Sequence, residues 1–443
     1  MHAAIAFLTH RMVALGIMFV LFSGCAMQRS GLQSPVAAGL NTRDIVDVQA
    51  QNAPNRLDDI PFRLKQAEKI SELARPATLP PKRSILCLSG GGSYGAYSAG
   101  ILYGWSRRGD RPQFDVVTGI STGALIAPLV FLGPKYDDKI KDFYTTVQSR
   151  DIFNLRAVRG IFSEGLADNS PLSRKVEETL TPEVVTEIAA AHAQGRRLYI
   201  GTTELEGRRF VTWDIGAIAS RGTPEDLTLI KQILLGSSAI PGFFPPSQIP
   251  VEVDGKKYVE RHVDGGVSQA LFLQYPYLPP EFDNDPIATS LYGSDVYAIV
   301  AGKLYADAEV IRQKSLRIAG TSVSSVIYAQ TRGDLVRIWS ICKLTGMNFH
   351  MTAIGPEFKI PVPATKFEPE EMIKMFNEGV RQMQSGDAWR KTPPGVEYGE
   401  TPLKRAGTKL NYVQRGPASP GPQTAPLFGT DRGMPVPLTP IEK

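Results

Sequence analysis

A serine within Gly119-Ile120-Ser121-Thr122-Gly123 has the pattern that presents a hydroxyl on a sharp turn between a strand and a helix. Small flanking residues let the backbone strain and an acyl group approach. The same pattern occurs a second time, in residues 91–95 around Ser93, where composition would supply roughly 0.24 matches in the whole chain. Neighbouring residues separate the two. Ser93 follows Gly90-Gly91-Gly92, a backbone suited to offering N–H groups to an anion. Ser121 leads into a strongly apolar segment. The economical division makes Ser121 the nucleophile and Gly90, Gly91 and Gly92 the oxyanion donors.

A serine nucleophile needs a base. Past the N-terminal segment the histidines are His192, His262 and His350, none in a distinctive local setting. A Ser-His-Asp triad would draw on His350, or on His262 with an acid elsewhere. Asp264 is better placed, because it ends an apolar run and Gly265-Gly266 leave room around it. An ordinary carboxyl, with a pKa of ~3.9, is a poor base at neutral pH, but burial would raise it. Asp-Gly is equally a common turn pair. Other chemistries fit less well. Residues 90–95 also satisfy Gly-x-Gly-x-x-Gly, but the acid at about the right separation, Asp115, starts the second apolar run, where a dinucleotide site wants an acid at its end. Ser121, Asp264 and His350 follow the chain order of an α/β-hydrolase esterase, but only two apparent strands precede Ser121, where that fold usually places several. A lipid-anchored binding protein with a dead hydrolase core is the non-enzymatic reading, against which the intact Ser121 and Asp264 stand.

These residues sit between readable elements. Residues 84–88 are a short apolar run before the glycines, and 96–105 a small-residue helix. Residues 114–118 are a second run leading to Ser121, followed by an apolar helix to Phe131. Strands are expected at 197–203, 210–215, 295–304 and 348–354, and a hairpin over 251–263 turning at Asp254-Gly255. Helices are expected at 63–73, 227–237 and 368–385, with one helix or two over 315–344. Apolar strands alternating with helices indicate an α/β sheet, at least partly parallel and covered on both faces.

The chain has 443 residues, 42% hydrophobic and 21% charged, which excludes a fully disordered chain, a collagen-like fibre and a multi-span membrane protein. A net charge of +5 without a long basic run or basic–aromatic stripe does not point to nucleic acid. Arg11 and the apolar run 13–22 read as an export signal, too short to span a bilayer. Phe22-Ser23-Gly24-Cys25 resembles a bacterial lipoprotein signal, in which Cys25 becomes an acylated N-terminus; Phe22 stands where Leu is usual. Ala26, in place of Asp, resembles lipoproteins sent to the outer membrane. Cys87 and Cys342 are too few for a disulfide framework, and Cys87 is expected as a buried free thiol. Residues 416–443 hold seven Pro and four Gly, a disordered or polyproline-like composition.

The ordered motifs resemble those of the patatin-like phospholipases. Gly90-Gly91-Gly92-Ser93-Tyr94-Gly95, Gly119-Ile120-Ser121-Thr122-Gly123 and Asp264-Gly265-Gly266 are similar to the family's three signatures. Residues 168–172 (Asp-Asn-Ser-Pro-Leu) and 237–246 (Ser-Ser-Ala-Ile-Pro-Gly-Phe-Phe-Pro-Pro) resemble its intervening blocks. The match runs over about 84–273. Tyr94 stands where the family usually carries Arg or Lys, and Ser89 where Asp is common. The resemblance implies a three-layer α/β/α core with a mostly parallel central sheet. It implies a Ser-Asp dyad, Ser121 as nucleophile and Asp264 as base, with the Gly91 and Gly92 amides as oxyanion hole and Gly90 shaping it. No metal or organic cofactor is implied. The expected substrate is a membrane lipid or fatty acyl ester. The expected organisation is a lipoprotein-type signal over 1–24, a leader over 25–82, a catalytic domain over 83–275, an extension or small subdomain over 276–390 and a tail over 391–443. The expected location is the cell envelope, acyl-anchored at Cys25 in the outer membrane of a Gram-negative bacterium.

Overall fold

The structure is a computed structural model describing residues 60–73, 75–155, 165–253, 255–274, 291–307, 315–360 and 362–394. The expected signal over 1–24, Cys25, Asp254 of the hairpin turn and the Pro/Gly-rich stretch 416–443 lie outside the described residues. The chain divides into two units, Met1–Leu403 and Lys404–Lys443, and every described residue belongs to the first.

The elements follow in order: α1 (Ile60–Leu73), β1 (Ser84–Leu88), α2 (Gly95–Arg108), β2 (Val116–Gly119), α3 (Thr122–Leu132), α4 (Asp137–Thr146), α5 (Ser170–Thr179), α6 (Pro182–Ala193), β3 (Arg197–Glu204), β4 (Arg209–Asp214), α7 (Pro224–Ser237), β5 (Ser247–Val253), β6 (Lys256–Asp264), β7 (Asp295–Ile299), α8 (Ser315–Thr345), β8 (Asn348–Thr352) and α9 (Pro369–Ser385). Local signals account for the helix ends. The Thr223 and Asp226 side chains cap each other's backbone at the start of α7, with Pro224 in the first turn. Left-handed Gly109 closes α2 after Arg107 and Arg108.

Eight strands form one sheet in the order β8-β7-β1-β2-β3-β6-β5, with β4 paired to β3 off that path, and Asn154–Leu155 pairs with Ala167–Asp168 in a separate two-stranded sheet. The run from β8 to β3 is parallel; β6, β5 and β4 join antiparallel. In β1, Leu86 and Leu88 enter one apolar cluster with α2, α3 and α9. Ile85 and Cys87 enter a second with the C-terminal half of α8. A strand buried on both faces at period two is the centre of a three-layer α/β/α stack. Cys87 and Cys342 are buried free thiols, and burial pushes the Cys87 thiol up to about 12.

The structure selects among alternatives that the sequence left open and shortens one expected strand. Residues 315–345 are a single 31-residue helix, where one or two were expected. β7 stops at Ile299, short of Leu304, because the chain then turns with the Gly302 amide on the Val300 carbonyl. β7 and β8 continue the sheet outward from β1, so residues beyond 290 contribute to the same layer. α1, in the expected leader, rests on α8 through Ala67 and the Ser71 hydroxyl, which donates to the Lys343 carbonyl.

β3 sets the spacing between the motif-bearing strands. Its residues 197–200 pair with β2, and 202–204 pair with β6. β4 covers 199–204, so β2 and β6 must share the opposite edge. Gly119 therefore lies beside Ile200 and Asp264 beside Thr202.

Candidate active site

Two residues beyond Gly119, the chain reverses into α3 at Ser121, whose φ is +52° and ψ −122°. A non-glycine residue in such a conformation stores strain of roughly 1–3 kcal/mol, held by its surroundings. Here the Ser121 amide donates to Ser237 Oγ at 3.0 Å, and that hydroxyl donates to the Gly201 carbonyl at 2.6 Å. Ser238 Oγ donates to the Ser121 carbonyl at 3.4 Å. The Ile120 amide is tied to the Leu88 carbonyl and the Gly123 amide to the Ile120 carbonyl. The elbow is thus fastened to β1, β3 and the end of α7.

The β3 register brings Asp264 to this elbow. Its carboxyl lies close enough to the Ser121 side chain to be influenced by it, and accepts the Gly266 amide at 2.8 Å. Ser121 and Asp264 are each only 7% exposed. Burial pushes the carboxyl up to about 6, against the lowering effects of the Ser121 side chain and the Gly266 amide. A carboxylate of that basicity, aimed at a serine hydroxyl, can take its proton near neutral pH.

The glycine loop completes the arrangement. The amides of Gly91 and Gly92 have no acceptor among the described residues. The Gly90 amide is committed to the Ala270 carbonyl, which corrects the expectation that all three glycines donate. The Ser93 amide is likewise committed, to the Ala364 carbonyl at 2.8 Å. A Cβ on Gly91 would lie 2.2 Å from the Ala301 carbonyl oxygen. Gly92 has φ +55°, and a Cβ there would lie 2.2 Å from the Ala364 oxygen. Only glycine fits at either position. Ser89 braces the loop, donating to the Gly90 carbonyl and accepting the Ala301 amide. Tyr94 donates its hydroxyl to the Val362 carbonyl.

Ser121 and Gly92 line a cleft, open to solvent, whose other walls include Leu125, Phe143, Phe153, Leu172, Phe243 and Phe367. Such a lining suits an apolar chain. The two intervening blocks now have places. The first sets Leu172 in the wall; the second supplies Ser237, Ser238 and Phe243. The second candidate serine, Ser93, is fully buried in the turn Gly92–Tyr94, with its Oγ unpartnered and away from the cleft lining.

No histidine hydrogen-bonds with Ser121 or Asp264 among the described residues. His262 Nδ1 meets Thr202 Oγ1 and its Nε2 meets Glu260. His192 lies 3.6 Å from Asp214. His350 stacks on Tyr297 and pairs with Asp295, at the start of β7 and so at the opposite end of the parallel strands from Ser121. Asp115 also sits at that far end, accepting the Ser84 amide, which removes it from the glycine loop. Sequence reasoning gave no role to Ser237, to Tyr144, whose hydroxyl bonds Thr122 at the head of α3, or to the Val362–Phe367 segment over the glycine loop. The last has no sequence signal, since Ala364 acts through its carbonyl.

Residues 86–276 match the family model described as Patatin-like phospholipase. No curated protein matches the chain. Among solved structures, VipD from Legionella pneumophila is similar at 12% identity and a TM-score of 0.36, over 69% of this chain and 66% of that one. The type III effector protein ExoU is similar at 13% identity and a TM-score of 0.20, over 69% of this chain and 54% of that one. The chain thus spans under two thirds of the length of each.

Proposed function

Because residues 86–276 of this chain match the patatin-like phospholipase family model, we propose that it is a serine lipid acyl hydrolase working through a Ser121–Asp264 dyad. One observation carries the reading: the strained Ser121 turn stands next to the buried Asp264 carboxyl, an apolar cleft, and Gly91 and Gly92 amides that have no acceptor among the described residues. Asp264 takes the Ser121 proton as Oγ attacks the ester carbonyl. The Gly91 and Gly92 amides receive the oxyanion. Collapse expels the alcohol, which takes up the proton from Asp264, and leaves an acyl-enzyme. Asp264 then deprotonates water, which attacks the acyl carbon and releases the fatty acid and the Ser121 hydroxyl. The apolar cleft favours a fatty acyl ester of the phospholipid, lysophospholipid or simple ester type. The N-terminal sequence supports an exported protein, acyl-anchored through Cys25 in the outer membrane.

Ester hydrolysis across acyl chain lengths tests this, with Ser121→Ala, Ser93→Ala, Asp264→Asn and a variant lacking His192, His262 and His350 run beside wild type. Turnover should fall to background in Ser121→Ala, fall by at least a hundredfold in Asp264→Asn, and persist without the histidines. Unchanged turnover in Ser121→Ala, or its loss in a folded histidine variant, would sink the dyad.

A further inference from the structure

α8 is much longer than its connection requires. It carries the chain from the end of β7 back to the start of β8, and both strands have five residues. Five strand residues span on the order of 17 Å, whereas 31 helical residues span on the order of 46 Å. The C-terminal end of α8 is fixed at the start of the strands, where the Met347 amide meets the Cys342 carbonyl. The excess length therefore lies at the other end, beyond the sheet edge that holds the glycine loop, Ser121 and Asp264.

The two halves of the helix differ. From Arg332 onward it is anchored: Arg332 donates to the Leu304 carbonyl, Asp334 accepts the Ala270 amide, and Leu335, Ile338, Trp339 and Cys342 are buried. Ahead of Arg332 it exposes Ile318 (50%), Val323 (60%), Val326 (63%) and Ile327 (50%). Tyr328, between the two halves, lies near Tyr94 of the glycine loop. Between Glu309 and Arg332, residues 310–331 contain Arg312, Lys314 and Arg317 and no acid. Among the described residues no helix is long and apolar enough to cross a membrane.

We propose that the projecting half of α8 is a docking surface for an anionic lipid bilayer, laying Val323, Val326 and Ile327 into the interface beside the catalytic edge. Exposed aliphatic side chains gain by leaving water for acyl chains, and an all-basic segment is drawn to anionic headgroups. A soluble acidic partner would engage the bases but leave the aliphatic side chains in water. Its functional value rests on the acyl hydrolase reading, since docking would bring the cleft to lipid-borne esters; the binding itself does not.

The test uses the full chain with Ser121→Ala, so that vesicles stay intact, and a tryptophan introduced by Val326→Trp or, at the exposed far end of α8, by Leu344→Trp. Vesicles of phosphatidylglycerol and phosphatidylcholine carry brominated acyl chains. The tryptophan from Val326→Trp should blue-shift and lose at least half its emission, while that from Leu344→Trp should not change. With the emission of Trp105, Trp213, Trp339 and Trp389 in the parent chain subtracted, the readout is local, so an acyl anchor at Cys25 cannot mimic it. Failure to bind the vesicles, or bound protein whose Val326→Trp emission is unquenched, would overturn the proposal. So would a Val326→Trp emission already shielded in lipid-free protein of dimeric mass, which would assign the face to a second copy. In the chain with Ser121 intact, Val323→Asp with Val326→Asp should cut turnover of vesicle-borne phospholipid at least tenfold and leave that of a short soluble ester unchanged. An equal effect on both substrates, or none, would count against docking. A wild-type chain that hydrolyses neither would defeat the hydrolase reading while the fluorescence result still decides the docking.

Discussion

The Asp264 carboxyl, raised to about 6, sets the pH behaviour of the proposed reaction. The base must be ionised, so kcat/KM should rise with pH through about 6, level off above it, and fall about tenfold per unit below. The same burial has a stability cost. The carboxyl is easier to protonate in the folded chain than in the unfolded one, where it sits near 3.8, so folding is favoured by low pH and loses that contribution as pH rises through about 6. The difference corresponds to about 3 kcal/mol at neutral pH. Asp264→Asn should therefore raise the thermal midpoint by a few degrees at pH 8, a gain that closes as pH falls below 6; differential scanning calorimetry across that range checks it. A lower midpoint at pH 8 would mean the carboxylate is stabilised by its hydrogen bonds more than burial penalises it. Ser121 and Asp264 were legible because each stands in a glycine-rich motif whose residue types only a sharp turn and a close approach require.

The elbow's support was not legible, because it comes from a hydroxyl on another element. Ser237 reaches Ser121 across 116 positions of chain, and nothing in its own neighbourhood names that partner. As a positioning residue it should affect kcat more than KM. Ser237→Ala leaves the buried Ser121 amide without an acceptor, a loss of about 1–3 kcal/mol, and should lower kcat by roughly 5–100-fold with KM held. Ser237→Thr, which keeps the hydroxyl, should recover most of it. Equal loss in both variants would point to packing as the cause. The glycine loop belongs to the same scale. Gly92→Ala would force a Cβ against the Ala364 carbonyl at a positive φ, and should lower both the thermal midpoint and kcat. The sequence pointed to three glycine donors; only the fold shows that the Gly90 amide is spent on Ala270. Donor availability depends on a carbonyl 180 residues away and leaves no trace in the motif.

Across the whole molecule, the alternation of strands and helices was enough to indicate a covered α/β sheet. Strand order was not readable. β7 and β8 pair outward from β1 although 206 residues of sequence lie between Leu88 and Asp295, and a run of five apolar residues says nothing of which neighbour it will take. β3 is the clearest case: one strand pairs with β2 over its first half and with β6 over its second, and that register alone brings Ser121 to Asp264. The excess length of α8 was visible as a long helical pattern, but its projection past the catalytic edge follows only once β7 and β8 are known to be short and parallel.

The most direct measurement is to react the protein with a long-chain fluorophosphonate, which phosphonylates an activated serine, and to map the adduct by peptide mass spectrometry. The account predicts one adduct, on Ser121, unchanged in Ser93→Ala, much slower in Asp264→Asn and absent in Ser121→Ala. An adduct on Ser93, or one that survives Ser121→Ala at the wild-type rate, would contradict it.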